Sequence, residues 1–162
     1  MRKGKAVAYQ GQFQYYTKSI FMEDFKINFF KNEHKREFPC YTHLSKKECS
    51  IITERLLEKY NLPDINALLE RIYANEGFLF FIETESEFQF IEVLKNLSIE
   101  PLENVYINWY KFDNIDIIKL LDLNNYFFDI WFPISDDIDI FDESLSWIIS
   151  VRHDGNVSYL KV

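Results

Sequence analysis

Four side chains with metal-binding chemistry lie close together in the chain: His34, Cys40, His43 and Cys49. Zinc takes thiolate and imidazole ligands in a tetrahedron, and Cys40-x-x-His43 has the spacing of one half-site. Structural zinc sites pair two such units, and only one is present here. Cys49 falls on the apolar stripe of a helical pattern, where a free cysteine behaves as a small hydrophobe. No metal is expected.

The densest carboxylate cluster is Asp136, Asp137, Asp139, Asp142 and Glu143. It offers hard oxygen ligands, but an EF-hand loop needs a glycine at its sixth position and a glutamate at its twelfth. Ile138, Ile140 and Phe141 occupy the run instead. Their alternation predicts a strand with Asp137 and Asp139 facing solvent and the isoleucines facing a core. Two carboxylates can also flank a glycosidic bond, and His153 beside Asp154 has the composition of a general base with its orienting partner. Neighbours on a strand point to opposite faces, so that pair cooperates only within a turn. A metal-dependent hydrolase using Asp136, Asp137 or Asp139 with His153 is the enzymatic alternative. No catalytic residue and no cofactor is expected.

Phosphate-cradling motifs are absent, because Gly4, Gly11, Gly77 and Gly155 are too far apart for a Walker A loop or a G-x-G-x-x-G turn. No G-x-S-x-G elbow and no H-E-x-x-H pair occurs. Two consecutive helical patterns over 45–76 resemble a helix-turn-helix in outline. Glu70 and Glu76 flank Arg71 on the second, and carboxylates facing phosphate cost affinity. Arg2, Lys3 and Lys5 read as a solvated end.

The elements that would position these groups follow from periodicity. Over 7–30, Phe13 and Tyr15 alternate with Gln12, Gln14 and Tyr16, and Phe25, Ile27 and Phe29 alternate with Lys26 and Asn28. Period two predicts a half-buried strand pair, followed by a polar connection over 31–36. Ser45 and Glu48 form a capping box ahead of Cys49, Ile52, Leu56 and Tyr60, which share one helical face. Asn61-Leu62-Pro63 stops that helix and Asp64 caps the next, whose stripe is Ile65, Leu68, Leu69, Ile72 and Tyr73. Gly77 suits the C′ position ending it.

Beyond it, 78–82 reads as a buried strand, 85–97 as a helix with Phe90, Leu94 and Leu97 inward, and 105–112 as a strand. A short helix is expected over 114–123. Strands follow over 127–132, 137–141, 147–152 and 157–161, with Asp154-Gly155 as a hairpin turn. The composite is an α+β domain: an antiparallel sheet with several helices packed against it, ending in a C-terminal β-meander.

With 162 residues, 48% of them hydrophobic, the chain has enough material for one domain over 1–162 without a disulfide framework. Its net charge of −8 argues against nucleic acid as a partner. Residues 1–60 carry a net +5 and residues 61–162 a net −13, so the acidic excess belongs to the later part. The first residues lack the continuous apolar stretch of a signal peptide, and no apolar run approaches the roughly 18 residues of a membrane span. A cytoplasmic protein with reduced thiols is expected.

The run Trp131-Phe132-Pro133-Ile134-Ser135-Asp136-Asp137-Ile138-Asp139-Ile140-Phe141-Asp142, leading through Glu143-Ser144-Leu145-Ser146-Trp147 to Arg152-His153-Asp154-Gly155, has a distinctive texture. Over the last quarter to third of the chain it resembles the C-terminal part of small bacterial immunity proteins. These neutralise polymorphic toxins, including those of contact-dependent growth inhibition. The resemblance implies a cytoplasmic, non-enzymatic inhibitor that binds one cognate toxin C-terminal domain stoichiometrically. Toxin domains that attack nucleic acid need a positive cleft, and an acidic inhibitor is complementary to it. The expected contact surface is Asp136, Asp137, Asp139, Asp142 and Glu143, with Asp154, a second acidic patch at Glu83, Glu85 and Glu87, and the aromatic anchors Trp131 and Trp147. At least one of those tryptophans is expected in the core of the meander instead. Charge reversal at Asp137 and Asp139 is then expected to weaken toxin binding and flatten its salt dependence. An adaptor module binding a partner other than a toxin is the non-enzymatic alternative.

Overall fold

A computed structural model describes residues 24–74 and 77–162. Six helices and seven strands follow in the order α1 (Asp24–His34), β1 (Tyr41–His43), α2 (Lys46–Tyr60), α3 (Ile65–Tyr73), β2 (Phe78–Phe81), α4 (Phe90–Asn96), β3 (Asn104–Tyr110), β4 (Asn114–Lys119), α5 (Leu120–Asn125), α6 (Phe127–Ile130), β5 (Ile138–Asp142), β6 (Trp147–Val151) and β7 (Asn156–Lys161). The strands form one antiparallel sheet in the order β1-β4-β3-β5-β6-β7-β2. This is the expected α+β class, with β5-β6-β7 as the C-terminal meander.

Helices cover both faces of the sheet. Alternate residues Ile138, Ile140, Trp147, Ile149 and Val151 join Phe30 of α1, Phe90 and Leu94 of α4, Leu123 of α5 and Ile130 of α6 in one apolar core. Phe141 and Ile148 point the other way, into a second core with Cys49, Ile52 and Leu56 of α2 and Leu68 and Ile72 of α3. Both β5 and β6 are buried at every position. The solvent-facing side expected for 137–141 is therefore closed by α2 and α3.

The capping signals act as the sequence predicts. The Ser45 hydroxyl accepts from the Glu48 amide at 3.3 Å, and the Glu48 carboxylate accepts from the Ser45 amide at 2.7 Å. Asp64 accepts from the Ala67 amide at 3.0 Å. Asn61 closes α2 in the left-handed region. Tyr60, at the end of α2, is buried with no partner for its hydroxyl among the described residues, and burial pushes its phenol far above the usual range. An unmet buried hydroxyl is a net cost, so Tyr60→Phe is expected to raise stability by about 1 kcal/mol, read from the urea midpoint.

Several sequence expectations are corrected. Residues 24–30, read as a strand, lie in α1, because Lys26 and Phe30 are buried one helical turn apart on the same face. The rest of that expected strand pair, at 7–23, lies outside the described residues. The connection over 31–36 continues α1 as far as His34, and His43 ends the short strand β1. The helix over 85–97 is divided into a 3-10 turn, Glu85–Glu87, and α4. Phe88 and Phe90 are both buried, and residues two apart cannot share a helix face, so the chain is extended between them.

Residues 114–119 form β4 rather than a helix, with α5 starting only at Leu120. Ile115 enters one core and Ile118 the other, and β-branched side chains fit that two-sided burial. Residues 127–130 form α6 rather than a strand, so Phe127 reaches Trp131 one turn on, with ring centroids 5.8 Å apart. In the last hairpin only Gly155 takes a positive φ, of 87°, while Asp154 accepts from the Asn156 amide.

β2 is a strand as expected, but it is the edge of the sheet and largely exposed. Gly77 does not end α3, whose C-cap is Ala74. It lies flat against β7, where an added Cβ would sit 1.9 Å from the Tyr159 carbonyl oxygen. Gly77→Ala must push β2 off β7 and is expected to destabilise by about 1–3 kcal/mol, measured by chemical unfolding.

Candidate functional site

The carboxylates of 136–142 mostly serve the interior. Asp139 is 3% exposed. It accepts from Ser150 Oγ at 2.7 Å, Arg152 at 2.7 Å and Asn108 Nδ2 at 2.8 Å. Register explains the cluster: Asn108, Asp139 and Ser150 are cross-strand partners on β3, β5 and β6 and share one face. Arg152 completes it and stacks on Tyr73 of α3, 4.7 Å from the ring centroid. Asp142 is buried and accepts from the Leu102 amide at 3.0 Å, Trp147 Nε1 at 3.1 Å and the Ser144 amide at 2.9 Å.

Asp136 pairs with Lys26, a lysine only 2% exposed, and accepts from the Phe132 amide at 2.8 Å. The Lys26 ammonium also donates to the Ile130 carbonyl at 3.0 Å and lies 4.4 Å from the Trp109 ring centroid. Asp137 is half-buried and accepts from both the amide and Nδ1 of His153, at 2.8 and 2.9 Å. His153 is thus oriented by Asp137 across the hairpin rather than by its neighbour Asp154. Each acid in this run has its own protein partners, and the group does not converge on a shared point.

Trp131 and Trp147 are buried, at 1% and 2% exposure, and cannot anchor a partner. All three indoles find acceptors among or beside the acids: Trp109 on Asp116 at 2.7 Å, Trp131 on the Asp136 carbonyl at 2.8 Å and Trp147 on Asp142. A buried indole N–H requires such a partner, and the Asp116 and Asp142 carboxylates fill that role for Trp109 and Trp147. Of the expected contact residues in this region, Glu143 and Asp154 are exposed.

The possible zinc half-site is dispersed. Cys49 is buried on α2, Cys40 is exposed, and His43 Nδ1 bonds to Asp116 Oδ1 at 2.9 Å. Among the described residues, one group of potential ligands converges: Glu33, His34 and Asp129.

The second acidic patch stands on the surface. Glu83, Glu85 and Glu87 are all exposed in the segment following β2, and Glu92 is exposed on α4. Among the described residues β2 pairs with β7 alone; its Phe78, Phe80 and Phe81 are 45%, 37% and 52% exposed, and Glu83, Glu87 and Glu92 share a groove with Phe80 and Phe81. Phe78 and Phe81 pack with centroids 5.3 Å apart, and Phe80 contacts Phe88 at 6.2 Å. Phe80, Phe81, Phe88, Glu83, Glu87 and Glu92 line a shallow groove of about 240 Å³. Edge strands are ordinarily blunted by charge or proline, and contiguous exposed aromatics rimmed by charge mark interaction surfaces. The sequence reading missed this apolar component because it placed 78–82 inside the core. The two-residue approach of Gly77 and the following Glu-x-Glu-x-Glu pattern were the available signals for an edge.

Among the described residues no helix is long and apolar enough to cross a membrane. Compared with known protein families, with curated proteins and with solved structures, the chain finds no match.

Proposed function

We propose that the chain is an immunity-type inhibitor that binds a basic toxin domain through the edge strand β2 and its acidic rim, and has no chemistry of its own. The observation that carries this reading is the juxtaposition of three exposed phenylalanines with Glu83, Glu85, Glu87 and Glu92. Aromatic side chains supply most of the energy at interface centres, while peripheral carboxylates steer a cationic partner and exclude anionic ones. A nuclease toxin is the favoured target class, because its substrate cleft must be positive. The inhibitor acts in the cytoplasm, where such a toxin would meet its substrate.

The internal roles of Asp136, Asp139 and Asp142 move the proposed surface away from 136–143. They also remove support for hydrolysis there, since the carboxylates are each engaged by separate partners. Affinity capture with the tagged protein from its native cells, followed by mass spectrometry, tests the proposal. A near-equimolar basic domain from the C-terminus of a large secreted protein is the expected result. A monomer eluting without partner contradicts it.

A further inference from the structure

We infer that Glu33, His34 and Asp129 form a site for one divalent cation of the zinc class. His34 ends α1 and Asp129 lies on α6, so the two meet only through the packing of those helices. His34 Nε2 is 3.0 Å from Asp129 Oδ2. One ligand atom from each of the three residues lies within 4.8 Å of the others. Zinc bonds to nitrogen and oxygen of about 2.0–2.2 Å place donor atoms roughly 3–4 Å apart, so small side-chain rotations bring the set into range. One imidazole and two carboxylates leave a further coordination position, as open zinc sites do.

Asp129 supplies a second observation. It is 7% exposed, and among the described residues His34 is its hydrogen-bond partner. The other buried acids are better supplied: Asp139 receives Asn108, Ser150 and Arg152, and Asp142 receives Leu102, Ser144 and Trp147. A carboxylate has about four acceptor sites and His34 supplies one donor, so the remaining sites of Asp129 are open to the groove that it lines. His34 and Asp129 also line a groove of about 750 Å³ with Gln89, Asn124, Tyr126 and Phe128. That groove gives the ion an entry path and room for a water or ligand at the remaining position. The His34 ring is held edge-on by Tyr126 and against Phe30, at 5.5 and 4.3 Å, which fixes its orientation before metal arrives.

The test titrates chelator-stripped full-length protein with zinc chloride by calorimetry and with cobalt(II) by absorption spectroscopy. The expected result is one equivalent bound, a rise in Tm by mass action, and a cobalt spectrum free of thiolate charge transfer. His34→Gln and Asp129→Asn should each weaken binding by more than the roughly 10–100-fold that loss of an outer-shell partner costs. Glu33→Gln, at an exposed position, provides the same test if the Asp129 variant fails to fold. Absence of stoichiometric uptake, unchanged affinity in the folded variants, or a cobalt–thiolate band placing the ion on Cys40 would each overturn the site.

Discussion

Asp139→Ala is expected to cost about 3–5 kcal/mol, the range for removing one partner of a buried ion pair. The loss strands three groups at once: the Arg152 guanidinium, the Ser150 hydroxyl and the Asn108 amide all donate to this carboxylate. Against a total stability of about 5–15 kcal/mol, the variant should be largely unfolded or unfold at much lower urea. Asp139→Lys is worse, because it sets a second cation beside Arg152 in the same closed layer. Asp137→Asn should change stability by less than about 1 kcal/mol, since Asp137 and His153 meet at a partly solvated surface. Urea unfolding of the three variants checks the order. If Asp139→Ala unfolds like the native protein, the buried polar row between the sheet and α3 is wrongly assigned.

The second large effect is on association. Glu83→Lys, Glu85→Lys and Glu87→Lys together replace three exposed negative charges on one segment by positive ones, a change of +6. Electrostatic steering alters on-rates by about 10–1000-fold, so association with the basic toxin domain should slow at least tenfold and lose most of its salt dependence. The fold should survive, because all three side chains are exposed. Phe81→Ser acts differently: deleting an aromatic anchor at the interface centre should raise the off-rate, with a loss of about 2 kcal/mol or more. The two substitutions therefore divide the surface into a steering rim and an apolar centre, and stopped-flow or biosensor kinetics separate them.

How far the sequence discloses this architecture depends on where the local signal and the tertiary demand agree. They agree in α2 and α3, whose caps Ser45, Asn61 and Asp64 make the contacts their residue types favour. They agree again in β5-β6-β7, where Gly155 sets the turn. They conflict at 24–30, where aromatics alternate by chance but Lys26 and Phe30 set the burial at helical spacing. At 114–119, alternation is blurred because Ile115, Ile117 and Ile118 serve both faces of a covered sheet.

The acidic run shows the same limit at the level of the site. Alternation of Asp137 and Asp139 with Ile138 and Ile140 suggests an exposed face, and the interpretation fails because a sheet covered on both sides has none. Trp147-Ile148-Ile149-Ser150-Val151, a nearly continuous apolar run on the adjacent strand, was the sequence signal for double burial. The partners that hold the acids are Asn108, Ser150, Arg152, Lys26 and the indole of Trp147. They come from distant parts of the chain, and only strand register brings them together. Glu83, Glu85 and Glu87, by contrast, sit in a short segment beside an edge and are legible as surface from their spacing alone. The convergence of His34 with Asp129 depends on packing of α1 against α6, which no local pattern discloses.

The central claim is that β2 and its acidic rim bind a basic toxin domain. The most direct test compares capture from native cells by the wild-type protein and by the Glu83→Lys/Glu85→Lys/Glu87→Lys variant, with circular dichroism confirming that both are folded. The account predicts a near-equimolar basic C-terminal toxin domain on the wild type and a strongly reduced amount on the variant. Equal capture by both proteins, or no toxin domain on either, would contradict it.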